Sequence, residues 1–271
     1  MEQRLRKAID VIKGVKIPDL PKEIMELDTE LACKFPNNQK VADIIESNTK
    51  LSGEVLRLVN SPVMKLKSPV TSIREAVDRL GYDNLKNLVI AAAIKNMFDK
   101  PQVQEIVEHS TDTAFCCAEL SEHIADVSRD EAYLLGLFHN GGCLMLATKD
   151  PENYLRVFSH LNTHPVSGVH KEYELYDTYH MDVGLLLGQK WKLPIDMLNV
   201  ILNHHDDAEH SNDKLRAMTS MIKVANIIVN EVSYGSYMTE EANSYLERAC
   251  EDLMIDKESV NAVRRALVAF A

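Results

Sequence analysis

Apolar residues recur at three- and four-residue intervals along almost the whole chain, and the alternation expected of strands is scarce. In LRKAIDVIKG the spacing predicts a helix with Leu5, Ala8, Ile9 and Ile12 on one face and a stop at Gly14. IPDLPKEIMEL predicts a second helix, with Pro21 in its first turn. QKVADIIESN and KLSGEVLRLVNSP predict two short helices, and Pro62 ends the latter. TSIREAVDRLG places Ser72 three residues before Glu75, a capping-box pattern, and stops at Gly81. DNLKNLVIAAAIKNMF is apolar nearly all round from Leu88 to Ile94, which predicts a central buried helix.

The polar stretch around 99–108, with Pro101, marks a subdomain boundary. Further helices are expected from near His109 through DTAFCCAELSEHI, then in RDEAYLLGLFH, HMDVGLLLGQKW, PIDMLNVILNHH, KLRAMTSMIKVANIIVNEV and SVNAVRRALVAF. Residues from about 148 to 170 read as loop-rich. The sum is an all-α chain of about 12 to 14 helices of ordinary length. It divides into 1–100, 101–230 and a C-terminal helical extension, 231–271. No internal repeat is visible.

Composition narrows the function classes. Forty-five per cent of the 271 residues are hydrophobic, enough for a substantial core. The 30 basic and 41 acidic residues leave a net charge of −11, which argues against general nucleic-acid binding. No apolar run reaches the roughly 18 residues that would span a membrane. Five cysteines without regular spacing, and an N-terminus without an apolar export segment, point to reduced thiols in the cytoplasm. Adjacent Cys116 and Cys117 read as packing residues.

Histidine carries the candidate chemistry. Of ten, His109, His139, His180, His204 and His205 sit at or near the ends of predicted helices, the arrangement by which a bundle projects metal ligands inward. Neutral imidazole suits Zn, Fe or Ni. A histidine at a helix C-terminus also serves the helix dipole or a carbonyl, and His139 before Gly141-Gly142 fits that equally well. His123, His160, His164, His170 and His210 lie in polar surroundings and read as surface residues. Glu172 and Glu174 precede His180 as candidate carboxylates, although loop acids are usually solvated. Lys65, Lys67, Arg74 and Arg79 could meet a phosphate or simply form a solvated face. Asn60-Ser61-Pro62 reads as a cap and a turn, and Trp191 as core.

LPKEIMEL, LVNSP and PVTSIREAVDRLG, followed by EAYLLGLFHNGG, HMDVGLLLGQKWKLP and VILNHHD, resemble the HDOD family. These are HD-related output domains of bacterial signalling proteins, and the resemblance spans about residues 15 to 230. It implies an all-α, HD-like fold related to metal-dependent phosphohydrolases. By that resemblance His109 matches the first histidine ligand of the HD enzymes and His139 the histidine of their His-Asp doublet. His180, His204 and His205 match further ligands of the cyclic-dinucleotide phosphodiesterase branch. Two carboxylates are missing: Asn140 replaces the doublet aspartate and Asn226 the late aspartate. The Gly-Tyr-Pro signature of that branch is absent as well. Asn keeps the shape of Asp but not its charge, which handicaps hard ions such as Mg and Mn most.

The resemblance therefore implies a non-catalytic signalling module that recognises a protein partner or a small nucleotide-like ligand, with metal retention open. The alternative is a metal-dependent phosphohydrolase acting on a nucleotide or cyclic dinucleotide. It would use the five histidines and recruit Asp206 or Glu174.

Overall fold

The computed structural model describes residues 1–98, 100–206 and 212–270. Among them are sixteen α-helices and no strand. This exceeds the count expected from sequence, chiefly because the stretch read as loop-rich holds two helices. These are α10 (Pro151–Thr163) and α11 (Ser167–Tyr176). Pro151 opens α10 at a position that needs no N–H, and Tyr154, Val157, Phe158 and Leu161 form its buried stripe.

The N-terminal helices follow the sequence pattern closely. They are α1 (Glu2–Val11), α2 (Lys22–Leu31), α3 (Asn38–Glu46), α4 (Thr49–Val59), α5 (Ile73–Leu80) and α6 (Tyr82–Met97). Ser72 accepts from the Glu75 amide, while the Glu75 carboxylate reaches back to the Thr71 amide. Gly81 ends α5 at a φ of 77°. Asn60 caps α4 and clamps the backbone of Val70 from both sides. Two expectations need correction: Ile9 is exposed, and Pro21 precedes α2 as its cap. Helix α6, buried from Leu88 to Ile94, packs on α4 and on α8 and so joins the two halves of the chain.

Helix α7 (Gln104–Leu120) begins five residues before His109, which therefore lies inside a helix and not at its end. It packs against α8 (Arg129–Phe138) and α14 (Asp213–Val232). Helix α9 (Gly141–Lys149) crosses α12 (His180–Lys190), which also carries α13 (Ile195–Asn203) and α1. The last two helices, α15 (Glu240–Leu253) and α16 (Lys257–Phe270), pack on α14, and α16 also reaches α7, where Phe270 stacks on Phe115. One buried apolar cluster extends from Ala8 to Leu267 and includes Trp191, Cys116 and Cys117. The indole N–H of Trp191 donates to the Pro18 carbonyl, tying the α1–α2 link to the second half.

Candidate metal centre

Three helix ends and one helix interior bring the five histidines into one region. His139 caps the C-terminus of α8, His180 opens α12, and His204 caps α13 with His205 next to it. All five rings are buried. His180, His204 and His205 each offer a ring nitrogen within 4.8 Å of the others. His139 stands beside His204 with ring centroids 5.4 Å apart, and His109 lies beyond His139 at 6.1 Å.

Hydrogen bonds at Nδ1 fix which nitrogen each ring presents. His139 Nδ1 faces the Gly136 carbonyl at 2.6 Å, His204 Nδ1 the Ile201 carbonyl at 2.8 Å, and His205 Nδ1 the Pro165 carbonyl at 2.6 Å. His180 Nδ1 faces the Glu172 carboxylate at 2.9 Å. Each partner only accepts, so each Nδ1 carries the proton and each Nε2 presents a lone pair. His180 Nε2 and His204 Nε2 are nevertheless 3.3 Å apart. Two donors bound at ~2.0–2.1 Å to one tetrahedral ion would lie about 3.3 Å apart. His139 Nε2 is buried with no hydrogen-bond partner. Burial and the adjacent imidazoles hold His204 and His205 well below the ordinary histidine value. Burial, then the His109 ring, pulls His139 down to about 3. The His139, His204 and His205 rings are thus neutral at pH 7, the form that binds a transition metal. The donor set and its geometry fit such an ion.

Glu172 was legible only as a loop acid; it sits on α11 and is fully buried. Its carboxylate accepts from the His180 ring, from the His180 amide at 3.0 Å and from the Tyr154 hydroxyl. Burial pushes the Tyr154 phenol up, so it remains a donor. Glu174, by contrast, is exposed and faces Lys171. Asp206 is exposed too, and neither acid joins the histidine cluster.

Asn140 is buried and caps α9, and it accepts a weak hydrogen bond from Cys143. Asn226 faces His109 Nε2 at 3.1 Å and also accepts from the Thr113 hydroxyl at 3.3 Å. Burial lowers His109 to about 4, so that ring too is neutral and is occupied by Asn226 instead of facing the cluster. The glycines of GLFHNGG serve packing: a Cβ on Gly142 would lie 1.8 Å from the His180 carbonyl oxygen. Only glycine lets α9 approach the first turn of α12 so closely.

Beside the cluster is a cavity of about 10 Å³. Its lining includes Asn140, Asn226, Asn230, Phe158, Pro165 and Tyr245, and no Lys or Arg. The candidate phosphate-binding residues lie elsewhere; Lys67 is exposed and the other three are engaged. Lys65 pairs with Glu119 and Glu122, Arg79 with Glu75, and Arg74 donates to Gln39. Of the histidines read as surface residues, His123 and His170 are exposed and His160 and His164 half-buried; His210 falls outside the described residues.

Known proteins share both the fold and the sequence pattern. A Geobacter sulfurreducens HDOD domain protein of unknown function superposes with a TM-score of 0.70 at 22% identity, covering 100% of this chain and 99% of its own. A Shewanella amazonensis protein, provisionally named a metal-dependent phosphohydrolase, superposes with a TM-score of 0.67 at 19% identity, covering 98% of each chain. An uncharacterized Treponema pallidum (strain Nichols) protein is 22% identical over 79% of this chain and 42% of its own length. This chain thus spans less than half of that relative. The structural likenesses show the fold. The HDOD domain family model matches residues 17–207, most of the chain, and this protein belongs to the HDOD family.

Proposed function

We propose that this chain is a signal-transduction module whose imidazole cluster holds a transition-metal ion without hydrolysing phosphoesters. His180, His204 and His205 would hold the ion, with His139 beside them. Zn, Fe or Ni suits a set of imidazoles better than Mg or Mn, which favour carboxylate oxygen. When bound, the ion would neutralise the facing lone pairs and tie α12 to the α13–α14 turn. Glu172 would orient His180 and strengthen it as a donor.

The observation that carries the non-catalytic reading is the cavity. On the side of Asn140 and Asn226, about 10 Å³ admits something the size of a water, not a phosphoester, and no cation lines it to take phosphate charge; the wider pocket beside Arg4 reaches His205 alone of the five histidines. Asn140 and Asn226 add no negative charge where the HD enzymes place aspartates. The module's output is then contact with a protein partner in a signalling pathway, with the 231–271 extension as part of its surface.

The test is metal analysis of the purified protein together with a hydrolysis assay on phosphomonoesters and cyclic dinucleotides in Zn, Fe, Ni and Mn. About one transition-metal ion per chain and no turnover is the expected result. A second reading, a metal-dependent phosphohydrolase, draws on the three-imidazole set, which leaves coordination positions open as catalytic sites do. Turnover that His204→Ala abolishes would establish it and overturn the first.

A further inference from the structure

Helix α15 lies beyond residues 17–207, the span of the family match, yet it forms a wall of the imidazole pocket. We infer that α15 is a gate: its first turns must lift for an ion to enter or leave, with Tyr245 and Glu241 as the positioning residues that hold it shut. This rests on the metal-binding reading above and concerns its regulation.

The turn that carries two of the candidate ligands is held by donors from α14 and α15. Tyr245 is buried and donates from its hydroxyl to the His204 carbonyl at 2.5 Å. Lys223 donates to the Asp206 carbonyl at 2.7 Å, and its ammonium lies 4.9 Å from the centre of the Tyr245 ring. The carbonyls on both sides of His205 are therefore fixed by one coupled pair of side chains.

The opposite side of His205 depends on α15 as well. The His205 ring donates to the Pro165 carbonyl, in the turn between α10 and α11. Glu241 holds that turn: its carboxylate accepts from the Val166 amide at 2.7 Å, the Ser167 amide at 3.0 Å and the Ser167 hydroxyl at 2.7 Å. Thr239, the cap of α15, donates to the Thr163 carbonyl. The Tyr245 clamp and the support of the His205 partner thus converge on the first two turns of this helix, against which Lys223 of α14 rests.

Those turns pack apart from the main core. Ala242 and Tyr245 join Ile227 in a small cluster of their own, flanked by Val166, Met238 and Leu246. Ala249 and Leu253, at the far end of α15, belong to the main core. A segment anchored at one end and held at the other by a satellite cluster opens at less cost than global unfolding. The link from α14 contains Gly235 at a φ of 59°, a position glycine fills without strain. With a cavity near 10 Å³, passage through it needs a wall to move, and α15 is the wall whose first turns pack outside the main core.

The experiment uses the full chain loaded with zinc and follows release to a chromogenic chelator and uptake by the stripped protein. Tyr245→Phe removes the hydrogen bond to the His204 carbonyl, and Glu241→Gln removes the charge and one of the two acceptor oxygens, with little change in size. Both are expected to speed release and uptake about 3- to 10-fold, with helix content unchanged. A residue that merely stabilises the fold would lower Tm without accelerating exchange in both directions. As a second readout, amide hydrogen exchange over 239–248 should slow when zinc is bound. Rates within about twofold of the wild type in both variants would overturn the gate and leave the metal site standing. A wild-type protein that takes up no zinc would overturn the metal site, and the gate with it.

Discussion

The two halves of this molecule use their interiors differently. Helices α2–α6 bury an almost entirely apolar set, and the buried acids there, Glu23 and Glu30, are few; Glu30 pairs with Lys40 at the surface. From α7 onward the interior also contains five imidazoles, Asn140, Glu172, Asp182, Lys223 and Asn230. The first half has the interior of a scaffold, in which buried area alone supplies the driving force. The second half accepts the desolvation of polar groups, which is costly unless each finds a partner. Among the described residues His139 Nε2 has no partner, and the Nε2 atoms of His180 and His204 have only each other, at 3.3 Å.

That contrast can be broken in graded steps. Gly142→Ala should have the largest effect, since the new Cβ would meet the His180 carbonyl at 1.8 Å. Forcing α9 from α12 is expected to cost about 3 kcal/mol or more and to abolish zinc retention, read by denaturant unfolding and metal analysis. Leu88→Ala, in the fully buried part of α6, should cost about 3 kcal/mol in the same unfolding assay. Zinc content per folded chain should be unchanged, and a joint loss would show that the halves are not separable in this way. Glu172→Gln keeps the volume but weakens the acceptor at His180. Zinc affinity should fall about 10- to 100-fold in chelator competition, with the fold retained. Lys65→Met removes a half-exposed cation shared by Glu119 and Glu122. Its cost should stay below about 1 kcal/mol and shrink further in high salt.

Sequence legibility differed in the same way. Helices with a single buried face, such as α5, or buried nearly all round, such as α6 and α12, were readable from spacing and caps. Helices α10 and α11 were not, because Pro, Ser, Thr and His between 148 and 170 masked the stripe of Tyr154, Val157, Phe158 and Leu161. With α11 unread, Glu172 passed for a solvated acid. Tyr245 and Lys223 gave no signal at all, since a hydroxyl or an ammonium aimed at a distant carbonyl leaves no local pattern.

By itself, the sequence determined the all-α class and the family pattern, and it placed asparagine at 140 and 226, where the resemblance leads one to expect carboxylates. Those properties are local: periodicity, caps and residue identity act over a few positions of chain. Only the tertiary structure decided which imidazoles face one another, that His109 is taken by Asn226, and that Glu172 and α15 complete the pocket. Convergence of α8, α11, α12, α13, α14 and α15 depends on close crossings such as Gly142 on His180, set by packing between residues far apart in the chain.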